Sequence, residues 1–508
     1  MINTTWLNLA LWIRKRGNFC YTQCMRIPID VDSAVPLYRQ IAEWLKQNIL
    51  SGALPAGTRL PATRALAQEL GTSRITVKNA YLLLESDGLI LTHEGSGTFT
   101  ASPLHPRSED AQNPTAWPLW QLEAVAADVL PENQPHAPSL GDMISFTGVG
   151  DPRHFPLKDF SKSIQDVLRR DGLAALDYGA FDGGYPPLRE TVVHVLASQG
   201  IQANPQEVLI TSGSQQALAL TCQALLAAGD VVLVEKPTYN LALDLFRALK
   251  LKVIGVDVDA EGMQVEVLEP LLQQHHPGLI YTIPNFQNPS GACMNVARRR
   301  TLLELADRYN VPILEDDFAG DLRFGGHAQP AIKALDFGGR VIYAGTFSKM
   351  LMPGLRVGYL LANGPILERL TYLKRVQDLT TSPFMQRVLD HYMTVGRYQA
   401  HLRRSIRLCR SRRDAMLSAI HEHLPGLTCN PPQGGLFLWA RLPDGISSTG
   451  LLAKALGFGA EFAPGTRFFS NPEEGEPYLR LNFASHNEEE IKEGIQRLEK
   501  ALNAFRNT

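Results

Sequence analysis

Seven short apolar runs, at residues 208–210, 231–234, 253–256, 279–283, 311–314, 341–343 and 357–361, follow one another with helical patterns between several of them. Runs this short and rich in branched side chains read as strands, and strands without polar alternation are covered on both faces. The pattern therefore predicts a largely parallel sheet sheathed by helices. From about residue 397 to the C terminus helical and strand-like patterns alternate, and with about residues 140–180 they are expected to form a smaller flanking domain. No internal repeat or low-complexity tract is visible.

At 508 residues the chain exceeds one ordinary core, so two or three domains are expected. Ahead of the sheet pattern lies a different one. Leu37, Ile41, Trp44, Leu45 and Ile49 recur at helical spacing after Pro36, and Ser51-Gly52 act as a stop. Thr63 is placed to cap a short helix ending at Leu70-Gly71. Ser73 is placed to cap the next, whose inner face reads Val77, Ala80, Tyr81 and Leu84 before Gly88. Residues 89–92 and 98–101, joined through Gly95-Ser96-Gly97, read as a small hairpin. The order is helix, helix-turn-helix and wing, an α+β module over residues 33–101.

Seven prolines (Pro103, Pro106, Pro114, Pro118, Pro131, Pro135 and Pro138) make residues 102–138 a linker, with one short docking helix conceivable at 117–130. The second module is then residues 139–508. In residues 1–25 an apolar stretch at 6–13 precedes Arg14, Lys15 and Arg16, the reverse of a secretory signal. It is also far shorter than the about 20 residues a bilayer requires. An unstructured extension, arising from an upstream start ahead of Met25, is expected there, with a short interfacial helix as the alternative. No membrane partner is expected. The six cysteines are scattered, which suits a reducing, cytoplasmic setting, and Cys20 and Cys24 read as free thiols rather than half a metal site. No metal is expected. A formal net charge of -2 does not itself suggest nucleic acid, but only the surface facing phosphates has to be positive.

Three places carry chemistry. The strand at 208–211 runs into Ser212-Gly213-Ser214-Gln215-Gln216 and a helix, which aims free N–H groups and hydroxyls at an anion, although a plain capped helix would look similar. Lys349 follows Thr346-Phe347-Ser348 at the end of an apolar strand, and Pro353-Gly354-Leu355-Arg356 brings a guanidinium back nearby. Burial there would lower the amine's pKa and leave it free to add to a carbonyl, whereas a snorkelling lysine would do nothing. Asp316 ends the run Val311-Pro312-Ile313-Leu314-Glu315, where a carboxylate is costly unless it meets a cation or caps a helix.

In order, Tyr178 within Asp177-Tyr178-Gly179, Ser212-Gly213-Ser214-Gln215, Tyr239 within Lys236-Pro237-Thr238-Tyr239, Asn288-Pro289-Ser290-Gly291, Asp316, Ser348-Lys349, Arg356 and Arg480 resemble the fold-type I pyridoxal-phosphate enzymes. The likeness is to their class I aminotransferases and spans about residues 146–502. It implies an α/β fold with pyridoxal 5'-phosphate bonded covalently to Lys349, the catalytic residue. It further implies that Asp316 meets the pyridine nitrogen, Asn288 the ring hydroxyl oxygen, and that Tyr239 stacks on the ring. Ser214, Gln215, Thr346 and Arg356 would hold the phosphate, and Tyr178 would reach it from a partner subunit, so a homodimer is implied. Arg480 would clamp the carboxylate of a substrate or effector. One position departs from the pattern: Phe318 stands where the family usually has a tyrosine bonded to the ring oxygen, which puts efficient transamination in doubt.

Residues 36–101 resemble the winged helix-turn-helix of the GntR family in Pro36-Leu37-Tyr38, Leu60-Pro61-Ala62-Thr63-Arg64, Gly71-Thr72-Ser73-Arg74, Ala80-Tyr81 and Gly95-Ser96-Gly97-Thr98. The resemblance implies that Arg64, Ser73, Arg74, Thr76 and Lys78 face double-stranded DNA, with Gly95 at the wing tip. No acidic residue occurs from Ser73 to Leu84, which favours a polyanionic partner over a merely solvated face. Together the two modules resemble the MocR subfamily of GntR regulators, which implies a transcription regulator that responds to pyridoxal phosphate or to an amine or amino acid. The competing readings are a working aminotransferase with a helical N-terminal extension and a DNA-binding protein fused to a cofactor-free relic.

Overall fold

A computed structural model describes residues 27–31, 33–93, 96–101, 142–148, 150–179, 183–349 and 351–506. The expectations for residues 1–25, for Cys20 and Cys24, for Gly95, and for the linker at 102–138 with its helix at 117–130 lie outside the described residues. The chain divides into two compact units, Met1–Val129 and Leu130–Thr508.

In the first unit α1 (Leu37–Leu50) buries Ile41, Ala42, Leu45 and Ile49, and α3 (Arg74–Ser86) buries Val77, Ala80, Tyr81 and Leu84. Between them α2 (Thr63–Glu69) adds Leu66 and Ala67. These faces close a small core of their own. Ser73 caps α3 as its position suggests, its Oγ accepting from the Thr76 N–H at 3.1 Å. Thr63 does not cap α2. The N-cap is Ala62, which makes no side-chain bond, and Thr63 is already helical. The cause is tertiary: the Tyr81 hydroxyl, twenty residues on, donates to the Pro61 carbonyl at 2.8 Å and fixes the chain's entry. Strands β1 (Ile90–His93) and β2 (Gly97–Thr100) form the antiparallel hairpin.

The second unit is built on eight strands, including all seven apolar runs: β4 (Val208–Thr211), β5 (Val231–Lys236), β6 (Lys252–Asp259), β7 (Gly262–Met263), β8 (Leu279–Thr282), β9 (Ile313–Asp317), β10 (Val341–Thr346) and β11 (Gly358–Leu361). Their order is β4-β11-β10-β9-β8-β5-β6-β7. From β6 to β10 neighbours run parallel, and β8 and β10 are buried throughout, as their unbroken apolar sequence requires. β11 is antiparallel to both β10 and β4, so the sheet is mixed. The chain from β10 to β11 is too short for a crossover helix, and only an antiparallel return is open to it. That return carries Lys349 and Arg356.

The C-terminal part forms an antiparallel sheet, β12 (Thr428–Cys429), β13 (Phe437–Arg441), β16 (Tyr478–Asn482) and β15 (Ala463–Pro464), with helices Arg397–His423 and Glu488–Arg506 packed together beside it. β3 (Ile144–Ser145) pairs in parallel with β14 (Ala460–Glu461) as a separate two-stranded sheet, which ties the start of this unit to its C-terminal part. The helix Leu157–Asp171 packs on Pro383–Thr394.

Candidate functional site

β4 ends at Thr211, and the helix Ser214–Leu225 starts immediately after Gly213, whose φ of +95° suits glycine. A Cβ at Gly213 would stand 2.9 Å from the Arg356 guanidinium, so that position is closed to larger residues. Arg356 itself holds a left-handed backbone, and its Nη2 donates to the Ser212 carbonyl at 2.9 Å. The guanidinium thus lies beside the helix N terminus, where Ser214 and Gln215 are half-buried. Gln215 Nε2 donates to the Leu241 carbonyl while its buried Oε1 has no partner. Thr346 belongs to the same neighbourhood, because it pairs with Gly358 and Gly358 packs against the Gly213 backbone. Positive charge and free helix-end donors meet here.

Asp316 sits within β9, next to Ala344 of β10. Its Oδ2 accepts from the Tyr281 hydroxyl at 2.9 Å, and its Oδ1 is buried without a partner. Burial pushes this carboxyl up to about 7, against the opposing Tyr281 hydrogen bond. Lys349 is pushed down to about 8, first by burial and then by the Arg480 and Arg356 charges, with Asp316 acting the other way. The same groups bear on half-buried Tyr239, where burial raises the phenol to about 12.

Arg480, on β16, is a buried guanidinium that pairs with no carboxylate among the described residues. Its Nη1 donates to Asn288 Oδ1 at 2.9 Å and its Nη2 reaches the Thr147 carbonyl at 3.5 Å, while Nε has no partner. It lies 3.9 Å from the Phe437 ring centroid and 4.9 Å from that of Phe468. Burial lowers its pKa to about 9. A cation held this way can accept a bidentate anion without breaking an existing ion pair.

The site therefore gathers Ser214, Gln215, Tyr239, Asn288, Asp316, Thr346, Lys349, Arg356 and Arg480. Tyr178 is 63% exposed and Arg356 is exposed as well, whereas the other gathered residues are buried or half-buried. Phe318 is buried, its ring stacked on Phe437 at 6.1 Å, so apolar packing replaces the expected hydroxyl. Residues that the sequence reading passed over are Tyr281, which holds Asp316, and Phe437 and Phe468, which flank Arg480. Tyr281 lies in a run that reads simply as core, and the one available signal was a phenol that needs a partner when buried.

In the first unit Arg64, Ser73, Arg74 and Lys78 are exposed and Thr76 is half-buried. The Ser73 and Thr76 hydroxyls lie 2.8 Å apart and are engaged with each other at the helix cap. Among the described residues no cluster of His, Cys, Asp and Glu could hold a metal ion, and no helix is long and apolar enough to cross a membrane.

Residues 142–498 match the family described as aminotransferase class I and II, and residues 37–100 match the bacterial regulatory proteins of the gntR family. The probable rhizopine catabolism regulatory protein MocR of Rhizobium meliloti is 31% identical over 485 residues, which cover 94% of this chain and 96% of that protein. Aromatic-amino-acid aminotransferase 1 of Thermococcus litoralis is 39% identical over 369 residues, 71% of this chain and 88% of that one. Among solved structures, Pyrococcus horikoshii kynurenine aminotransferase in complex with PMP matches with a TM-score of 0.68 and 37% identity, over 78% of this chain and 96% of the other. The chain belongs to the class I and II aminotransferase family and joins that domain to a gntR-family helix-turn-helix, the architecture of the MocR-type regulators.

Proposed function

We propose that this protein is a pyridoxal-phosphate-dependent, DNA-binding transcriptional regulator whose aminotransferase-like domain senses pyridoxal phosphate, an amine or an amino acid. The observation that carries the reading is the end-to-end match to a regulator, 94% of this chain against 96% of that protein, which takes in both modules. Sequencing the DNA retained by the purified chain, with and without cofactor and amino acids, tests it. A selected sequence whose retention changes with ligand is expected; no preference over random DNA in any condition would overturn it. Regulation requires that the ligand states differ in DNA affinity.

The residues fit pyridoxal phosphate on two observations: the partnerless Asp316 Oδ1 inside the sheet, and the Arg356 guanidinium beside an open helix N terminus. Bound there, the cofactor supplies an electrophilic carbonyl carbon on an electron-withdrawing ring. Lys349, neutral in part at physiological pH, would bond that carbon. Asp316 would hold a proton at the ring nitrogen through Oδ1, Asn288 would meet the ring hydroxyl oxygen, and Tyr239 would lie against the ring. Ser214, Gln215, Thr346 and Arg356 would bind the phosphate.

Arg480 would then recognise an effector carboxylate. Arg480→Ala is expected to weaken an amino acid by roughly 10- to 150-fold, the worth of one charged hydrogen-bonded contact, and leave the matching decarboxylated amine unchanged. Spectral titration of both ligands checks this, and an undiminished preference for the carboxylate-bearing ligand would remove Arg480 from the site. Cofactor absorbance should persist in the variant.

A homodimer belongs to the same reading. Leu173 is 86%, Leu176 65% and Tyr178 63% exposed, an apolar segment that a second copy would cover while Tyr178 reaches the partner's phosphate site. The DNA-facing set would be Arg64, Ser73, Arg74, Thr76 and Lys78, and the setting cytoplasmic.

A second reading, a working aminotransferase, is favoured by the 39% identity to the Thermococcus litoralis protein, higher than that to the regulator. Sustained turnover with an amino donor and a keto acid, without sequence-selective DNA retention, would decide for it. Phe318 argues against it, since a hydroxyl on the ring oxygen is worth about 1.5–3 kcal/mol where the acceptor is charged.

A further inference from the structure

Helix α3 exposes three large apolar side chains that its inner face does not use, Ile75 at 71%, Leu82 at 51% and Leu83 at 39%, and the most exposed of them stands at its N-terminal end. Val77, Ala80, Tyr81 and Leu84 complete its inner face, yet Ile75 in the first turn is 71% exposed. Exposed Arg74 and Lys78 bracket it, and exposed Asn79 lies one turn further along the same line. An isoleucine there adds nothing to the core of its unit. As a β-branched residue it is also a poorer helix former than the lysine or glutamine that would suit a solvated position.

Its surroundings restrict what could cover it. The stretch from Ser73 to Leu84 contains no acidic residue, and its cations, Arg74 and Lys78, both stand beside Ile75, whereas the exposed Leu82 and Leu83 lie about two turns further along, away from the N-terminal end. Helical side chains lean toward the N terminus, so Ile75 projects from the end of α3 where Arg74 also stands. The Ser73 and Thr76 hydroxyls are 2.8 Å apart and engaged with each other at the cap, and Arg74 and Ile75 are exposed beside them. A polyanion with an apolar group set among polar ones matches such a face. In the DNA major groove that group is the C5 methyl of thymine, the one apolar feature among the base edges.

We propose that Ile75 reads a thymine methyl in the major groove, making one T·A pair a determinant of operator choice. The inference rests on the DNA-binding reading above and adds to it a residue whose contact is apolar rather than ionic. Arg74 and Lys78 would bring the helix to the phosphates and base edges, and Ile75 would decide between thymine and cytosine at one position.

The test uses the full chain and the DNA sequence it selects from a random pool. Each thymine of that site is replaced in turn by deoxyuridine, which removes the methyl and keeps the pairing. Affinities of wild type and Ile75→Ala are then measured for every substituted duplex. In the wild type, one thymine per half-site should show a loss of about four-fold on methyl removal, the factor for one buried methyl-sized group. Ile75→Ala should weaken the parent site by at least as much and become indifferent to the methyl at that same position. Alanine is the better helix former and the position is exposed, so folding is preserved. If both proteins respond alike at every thymine, or if no thymine is selected, the assignment to Ile75 fails while DNA reading stands. If the wild type selects no sequence, the DNA reading fails and takes this inference with it. A change in oligomeric state without thymine dependence would place a second copy of the chain on Ile75 and also overturn it.

Discussion

Lys349→Ala is expected to purify without the absorbance of covalently held pyridoxal phosphate, a complete loss rather than a graded one. The amine is the element that the rest of the site prepares. Burial and the charges of Arg480 and Arg356 lower its pKa to about 8, so near neutrality far more of it is unprotonated than of a solvated lysine. Other lysines withdrawn from solvent are already engaged. Lys333 pairs with Asp336 at 3.1 Å and Lys374 with Asp378 at 2.6 Å, while Lys236 lies between Asp257 and Glu474. Each of those amines is committed to a carboxylate rather than free to reach a carbonyl. The sign of the pH dependence follows: capture of added cofactor by the wild-type apoprotein should speed up as pH rises through about 8, since the amine loses its proton there. Borohydride reduction and peptide mapping locate the attachment. A pyridoxyl group recovered on another lysine, or a variant that keeps the wild-type spectrum, would refute the assignment; Lys349→Arg, which retains the charge, controls for folding.

Much of this arrangement is legible in the sequence, and the exceptions share one cause. Seven of the eight strands of the large sheet follow from local apolar runs, because burial on both faces leaves an unbroken signature in sequence, and the two-residue β7 is too short to leave one. The antiparallel sense of β11 does not appear in its own residues. It follows from the brevity of the return between Thr346 and Gly358, a property of the connection. Likewise, Thr63 obeys the local rule for a helix cap and is overruled by the Tyr81 hydroxyl bound to the Pro61 carbonyl. In the site, residues with ionisable or amide groups could be picked out by their order along the chain. Their supports could not. Tyr281 meets Asp316 across 35 residues, and Arg480 meets Asn288 across 192, so those contacts exist only once the sheet has formed. The ring stack of Phe318 on Phe437 is of the same kind: the sequence marks a missing hydroxyl, and the fold supplies what occupies its place.

Arg74→Ala should cripple specific DNA binding and leave the cofactor spectrum unchanged. Arg74 is the first helical residue of α3, directly after the Ser73 cap, and its side chain is exposed. It makes no ion pair or hydrogen bond among the described residues, so truncation removes an outward-facing group without orphaning another. Residues at this end of a recognition helix reach base edges when the helix lies in the major groove. A guanidinium forked onto guanine is worth about 1–3 kcal/mol, and a two-fold site engages it twice, which gives roughly 30-fold to above 10⁴-fold in affinity. In that case Arg74→Lys should rescue little, because an ammonium cannot reproduce the planar fork. If Arg74 touches phosphate alone, all sequences should weaken together, Arg74→Lys should restore most of the loss, and the salt slope should fall by about one per contact. Gel-shift titrations at several salt concentrations separate the two cases, with absorbance of the bound cofactor read on the same samples. The spectrum is expected to hold, since Arg74 and Lys349 belong to different compact units with separate hydrophobic cores. Undiminished binding by Arg74→Ala would instead remove α3 from the DNA interface.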